Sequence, residues 1–327
     1  MELPAPLRQA IERELEGVPL DDLRRAGDLL SRRYREEVRD GSLHLSGRNA
    51  VGAYLATRLP ATYAAIRAAA DAVAQVLPEF KPLSLLDIGA GPGTALWAAS
   101  DCWPGMETVV LVETSAAARE VGERLASAAT LPAATWIAAD VTSAFPDARQ
   151  SDLVTIAYVL DELAPHARAA LIDKAWSLTA GLLLIVEPGT PAGWQRVLTA
   201  RNQLLAEGAQ LAAPCPHRHA CPLVSPDWCH FSRRVARSRL HRLAKSAEVP
   251  WEDEKFIYLA AARVRAQAPS ARVLAPPRRA SGRITLKLCR PDGTAGDRGL
   301  SKRDGDAYRT ARRADWGDQI EAGPSRA

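Results

Sequence analysis

An α/β fold on a mostly parallel sheet is what this 327-residue sequence predicts, and three observations carry the expectation. Short apolar runs recur between residues 84 and 186 with helical patterns between them, the succession that parallel strands joined by crossover helices require. The first run, Ser84 to Ile88, leads into Gly89-Ala-Gly91-Pro-Gly93, whose glycines let the backbone turn sharply and approach a ligand closely. The second, Thr108 to Val112, ends on an acid, Glu113, 24 residues beyond Gly89.

The glycine spacing narrows the ligand. A dinucleotide fingerprint, G-x-G-x-x-G, needs a third glycine at position 94, where Thr94 stands. The loop is instead G-x-G-x-G led by Asp87, and it resembles motif I of class I S-adenosylmethionine (SAM) methyltransferases, whose cofactor offers an amino-acid end and no pyrophosphate. The helix expected from Thr94 to Ser100 turns its N-terminal amides toward the ligand carboxylate. Glu113, at the end of the second strand, is placed to accept hydrogen bonds from both ribose hydroxyls. A third strand, Thr135 to Ala139, ends at Asp140, where related methyltransferases bind the adenine amino group.

A fourth strand, Asp152 to Ala157, runs into Tyr158-Val-Leu-Asp-Glu-Leu163. That segment lacks the Asn/Asp-Pro-Pro-Tyr element of many N-methyltransferases, so the sequence names no catalytic residue. Gly181 to Val186 is the fifth strand, followed by Glu187-Pro-Gly-Thr190 at the same sheet edge. Lys255 to Arg263 and Arg283 to Cys289 are expected as strands six and seven, the last antiparallel to the rest.

Residues 1–78 read as a helical region. Pro6 can open a first helix with Leu7, Ile11 and Leu15 on one stripe, stopped by Gly17 and Pro19. Leu20, Leu23, Leu30, Tyr34 and Val38 make a second face, and a third helical region from Asn49 to Leu77 is interrupted at Pro60. Its Tyr54, Arg58 and Tyr63 are candidates to reach the cofactor pocket. The remaining organisation expected is a SAM-binding core over 79–190, a cysteine-rich insertion over 191–250, the last core strands over 251–290 with a linker at 266–281, and a basic tail over 291–327.

Charge is distributed unevenly. Residues 215–327 hold 23 Lys and Arg against 12 Asp and Glu, while residues 1–214 hold 19 against 26, so the net charge of +4 conceals a basic third on an acidic remainder. A basic portion of this kind suits a polyphosphate partner, because each neutralised phosphate releases condensed counterions. No apolar run approaches 18 residues, which argues against a membrane span. Glu2, Glu12, Glu14 and Glu16 fit neither a secretory signal nor an acid-poor transit peptide, and a cytoplasmic protein is expected.

The insertion contains Cys215-Pro-His-Arg-His-Ala-Cys221-Pro-Leu and Asp227-Trp-Cys229-His-Phe231. Four of the five cysteines converge if Cys289 folds back beside these three, and in a cytoplasmic chain such clustering argues for metal over disulfide. Zinc and an iron-sulfur cluster both accept four thiolates, and the C-x5-C-x7-C spacing is not the usual zinc-ribbon knuckle. His217, His219 and His230 are alternative ligands or neighbours. Cys102 stands apart.

Together, CPHxxxCPL, WCHFSRR, Glu252-Asp-Glu-Lys-Phe256, the Lys287-Leu-Cys289 strand end and the distant DIGAGPGTA loop resemble the Rsm-twenty-two type, a methyltransferase-like family associated with the small ribosomal subunit. The resemblance covers about Asn49 to Trp316. It implies a seven-stranded class I SAM-methyltransferase (Rossmann-like) sheet and a four-iron four-sulfur cluster on Cys215, Cys221, Cys229 and Cys289. It also implies binding to the small subunit and its rRNA, as an rRNA methyltransferase or as an assembly factor that keeps only the fold. Arg233 to Lys245, read as a basic helix beside the cluster, fits the RNA partner.

Overall fold

The computed structural model describes residues 1–36, 44–142, 149–266 and 270–321. Four helices open the chain: α1 (Ala5–Glu14), α2 (Leu20–Glu36), α3 (Arg48–Thr57) and α4 (Leu59–Val76). Pro6 sits in the first turn of α1, where its missing N–H costs nothing, and Leu7, Ala10 and Ile11 are buried. Leu23 and Leu30 anchor α2; Val38 and the side chain of Tyr34 lie outside the described residues. Arg58 closes α3 and precedes α4, so Pro60 falls in the first turn of a new helix. The buried alanines of α4, Ala61, Ala64, Ala65, Ala68, Ala69 and Ala70, let it lie close against its neighbours.

The main sheet is built from β1 (Ser84–Ile88), β2 (Thr108–Val112), β3 (Ala133–Ile137), β4 (Ser151–Ala157), β5 (Thr179–Pro188), β6 (Gln210–Ala213), β7 (Phe231–Ala236) and β8 (Trp251–Ala262). Helix α5 (Thr94–Cys102) joins β1 to β2, α6 (Ala116–Ala126) β2 to β3, α7 (Pro165–Ser177) β4 to β5, α8 (Pro191–Ala206) β5 to β6, and α9 (Arg239–Ala244) β7 to β8. Strand order is β3-β2-β1-β4-β5-β8-β6, parallel from β3 through β5, with β8 reversed against both β5 and β6. The order reverses direction between β1 and β4, which opens the crevice beyond their carboxyl ends where such sheets take ligands.

Among the described residues the main sheet has eight strands rather than the expected seven, and two strand assignments change with it. The sixth strand is Gln210–Ala213, a four-residue segment within the expected insertion, and the reversed strand is Trp251–Ala262. Arg283–Cys289 is not in this sheet at all. It is β11 of a second, five-stranded sheet with β9 (Ala271–Val273), β10 (Arg278–Ala280), β12 (Ala295–Ser301) and β13 (Gln319–Ile320), joined by α10 (Gly305–Arg313). Burial explains the difference. From Phe256 to Ala262, β8 is buried without interruption, as a strand covered on both faces must be. In β11, Ile284, Leu286 and Leu288 are buried while the residues between them are not, the period of an antiparallel sheet with one wet face.

The second sheet has its own core of Val273, Ile284, Leu286, Leu288, Leu300 and Tyr308, among others. The residues expected as a linker therefore carry β9 and β10, and those expected as a tail carry β12, α10 and β13. Among the described residues no helix is long and apolar enough to cross a membrane.

Candidate functional site: a glycine-turn pocket and a four-thiol cavity

Gly89, Gly91 and Gly93 all take positive φ, +75°, +52° and +80°, and Gly93 is the left-handed N-cap of α5. A Cβ on Gly89 would stand 2.5 Å from Val159 Cγ2, so the turn needs glycine for space as well as for conformation. The turn borders a cavity of about 420 Å³ whose wall includes His44, Tyr54, Asp87, Glu113, Asp140 and Tyr158. Tyr54 shares a 3.0 Å hydrogen bond with Thr94 Oγ1. Tyr63, by contrast, donates to Asp101 away from this cavity.

The three acids expected at the strand ends meet around this turn. Asp87 is 2% exposed; its Oδ1 accepts from Thr155 at 2.6 Å and its Oδ2 has no partner. Burial pushes its pKa up to about 7, opposed by the Thr155 hydrogen bond and assisted by the Glu113 charge. Glu113 turns toward the glycines: Oε2 accepts the Gly91 N–H at 2.8 Å and Oε1 the Ser115 N–H at 2.7 Å. Burial raises its pKa against those two bonds. Asp140 Oδ1 accepts both the N–H and the hydroxyl of Thr142.

At the end of β4 the sequence reading missed a constellation. Tyr158 has φ +58°, a conformation a bulky residue rarely holds, and its hydroxyl donates to Glu254 at 2.9 Å. Arg58 donates to the same carboxylate from Nη1 at 3.4 Å and from Nη2 at 3.1 Å. Glu254 lies on β8, 96 residues from Tyr158, and only the sheet pairing brings them together. Beneath the pocket, the fully buried Glu187 accepts from Leu160 N–H at 3.0 Å and from Arg196 Nε at 2.7 Å, which ties the loop after β4 to the end of β5.

Cys215, Cys221, Cys229 and Cys289 line one apolar cavity between the two sheets, shared with Trp194, Leu223 and Ile257. All are free thiols. Burial and then Cys215, Cys221 and Cys289 drive the Cys229 pKa well up; burial and then Cys215 and Cys221 push Cys289 up to about 12. Cys102 is half-buried near Asp101 and Arg67, remote from the four. Of the histidines, His217 Nε2 is 3.3 Å from Cys289 Sγ, whereas His230 stacks on Trp228 and meets Trp316 edge-on.

A single zinc ion with bonds of about 2.3 Å would hold its sulfurs about 3.8 Å apart. Among the described residues no group of three or more His, Cys, Asp or Glu side chains is arranged to hold one metal ion. A four-iron cluster gives each thiolate its own iron and so takes thiols set wider apart around an apolar space. The lining, four thiols with apolar walls, is a donor set that either group accepts.

The basic stretch differs from expectation. Arg233 and Arg234 lie on strand β7 rather than on a helix, and both are exposed. Arg234 forms two hydrogen bonds with Asp253. Arg237 pairs with Glu252 at 3.0 Å, and Lys245 meets the same carboxylate at 3.3 Å, both in half-buried settings. These last two cations are occupied in holding α9 to β8.

The chain is similar to known proteins over most of its length. The chain is 30% identical over 286 residues to human "Ribosome assembly protein METTL17, mitochondrial", covering 82% of this chain and 61% of that protein. It is 24% identical over 291 residues to "Rsm22-cox11 tandem protein 2, mitochondrial" of Schizosaccharomyces pombe (strain 972 / ATCC 24843), covering 73% of this chain and 38% of that one. The chain thus spans about three fifths or less of the length of these relatives. Among solved structures, magnesium protoporphyrin IX methyltransferase from Synechocystis PCC 6803 with bound SAM overlaps 76% of this chain and 100% of its own, at 16% identity and TM-score 0.42. The plantazolicin methyltransferase in complex with SAH overlaps 79% and 99%, at 13% identity and TM-score 0.40. The fold itself rests on the strand order described above. A family model described as "Mitochondrial small ribosomal subunit Rsm22" matches residues 48–321, and the chain belongs to that family.

Proposed function

We infer that this protein binds SAM at the glycine turn, carries a four-iron four-sulfur cluster on Cys215, Cys221, Cys229 and Cys289, and acts on the small ribosomal subunit through its rRNA. The observation that carries the reading is the arrival of Cys289, from the second sheet, in the same cavity as the three insertion thiols. A cluster there would bind the two sheets into one body and order the surface they share. Its setting would be a reducing cytoplasm, where free thiols persist.

For SAM, the orphaned Asp87 Oδ2 supplies an acceptor for the ligand ammonium, Glu113 an acceptor for the ribose diol, and Asp140 one for the adenine amino group. When bound, SAM carries an electrophilic methyl group, and the protein's contribution would be proximity and orientation of an RNA nucleophile. A second reading, a non-catalytic rRNA clamp, is favoured by one feature. Tyr158, Arg58 and Glu254 satisfy one another at the end of β4, where many N-methyltransferases present a base-gripping element.

The test is anaerobic purification of the full chain, iron and sulfide assay, SAM calorimetry and cosedimentation with small subunits. Iron and sulfide near four each per chain, lost on Cys229→Ser and kept in Cys102→Ser, is expected (about four, by cluster type). Zinc without sulfide would refute the cluster. SAM heat without methylated rRNA would select the clamp.

A further inference from the structure

Two arginines line the four-thiol cavity, and among the described residues neither has a carboxylate partner. Arg201 on α8 and Arg272 on β9 are each 3% exposed and both line the four-thiol cavity. Arg201 donates from Nη2 to the backbone carbonyls of His217 and His219, at 3.0 and 2.8 Å, and from Nη1 to Asn202 at 3.3 Å, while its Nε has no partner. Arg272 donates to the carbonyls of Pro214 and Gly317, at 3.1 and 2.7 Å. Among the described residues neither guanidinium forms an ion pair, whereas the buried Arg196 has Glu187. Carbonyl dipoles solvate a guanidinium in part, but two buried cations facing one apolar space remain a large uncompensated charge.

Four thiolates around a doubly positive iron-sulfur core leave a dianion. We propose that Arg201 and Arg272 are its counter-charges: one from the main domain and one from the second sheet, they make cluster binding electrically neutral and set the cluster's reduction potential. The inference rests on the cluster reading above. The two reach the cavity from different elements, Arg201 from α8 and Arg272 from β9. Both arginines also fix the loop that presents Cys215, through Pro214, His217 and His219. A purely structural role would need only these hydrogen bonds. A counter-charge role makes the potential depend on the charge itself.

The test uses the full chain purified anaerobically as wild type, Arg201→Gln, Arg272→Gln, Arg201→Lys and Arg272→Lys. Iron and sulfide per chain, the rate of cluster bleaching under chelator, and the midpoint potential from a redox titration followed by electron paramagnetic resonance are measured. Reduction adds negative charge, so loss of a nearby cation disfavours it. Each Gln variant is expected to shift the potential negative and to lose its cluster about ten-fold faster, the size typical of groups that support metal ligands. The Lys variants keep the charge and should hold the wild-type potential even where bleaching accelerates. Gln variants with wild-type potential and bleaching rate overturn the proposal while leaving the cluster reading intact. So do Lys variants with potentials shifted well negative of wild type, a comparison that stands even if a Gln variant fails to fold. Wild-type protein without iron and sulfide overturns the cluster reading and, with it, the proposal.

Discussion

Asp87 makes SAM binding a measurable proton-linked event. In the free protein burial raises its pKa to about 7, so the acid is mostly neutral below that pH, yet a ligand ammonium pairs with the ionised form. With a pKa of about 7, about 9% of Asp87 is ionised at about pH 6 and about 50% at about pH 7, so affinity should rise about five-fold over that interval. The ligand's own α-amino group titrates near 7.7 to 8.0 and stays protonated throughout. Asp87→Asn should weaken binding by about 1.5–3 kcal/mol, the worth of a charge-assisted hydrogen bond, and flatten the pH dependence. The same variant has an opposite signature without ligand. A raised folded pKa contributes stability fully below the unfolded value of 3.8 and loses it as pH climbs through about 7. That loss amounts to about 4 kcal/mol, and Asn abolishes it, so the variant should melt higher than wild type near about pH 8. Calorimetry at the two pH values and a thermal melt series decide the matter. Wild-type affinity that is flat between them, or an Asn variant binding as tightly as wild type, refutes the role given to Asp87.

Two other perturbations separate space from charge. Gly89→Ala forces a Cβ at φ +75° against Val159, and urea unfolding should show a loss of about 2–5 kcal/mol from backbone strain and overpacking together. A variant of wild-type stability would mean that the turn relaxes freely. Charge reversal distinguishes the two kinds of arginine on the β7–α9 segment. Arg233→Glu, at an exposed position, should weaken association with the small subunit and lower its salt slope by about 1, with melting unchanged. Arg237→Glu breaks a half-buried pair with Glu252 and should cost about 3 kcal/mol of stability instead. Equal effects of the two on subunit cosedimentation at wild-type stability would contradict the assignment.

The glycine-turn pocket was legible in the sequence because its parts are local. Asp87, the three glycines and Glu113 lie within one strand-turn-helix-strand unit, and the parallel register of β1 with β2 places Asp87 opposite Leu111, two residues before Glu113. Such a unit folds one way, so spacing alone fixed which acid faces which turn. Tyr158, Arg58 and Glu254 were not legible as a group, because their meeting depends on the reversed strand β8 pairing with β5 so as to bring Glu254 beside residues about 100 and 200 positions away. The fate of Arg283–Cys289 was misread for a different reason. Arg283–Cys289 alternates buried and less buried positions, as a one-sided antiparallel strand does, while Phe256 to Ala262 is an unbroken buried run, and apolar content alone does not say which sheet a segment joins.

By itself the sequence determined the chemistry present: an acid-led glycine turn, a second acid one strand on, three clustered cysteines with a fourth 60 residues on, and a basic final third. Those are properties of residue type and short spacing. Tertiary structure alone decided which thiols share a cavity, which cations are occupied by Glu252 or Asp253, and which two, Arg201 and Arg272, line that cavity with no carboxylate partner among the described residues. The reason is that burial and pairing are set by contacts between segments far apart in the chain, and a charge's partner is known only once both ends have been brought to the same place.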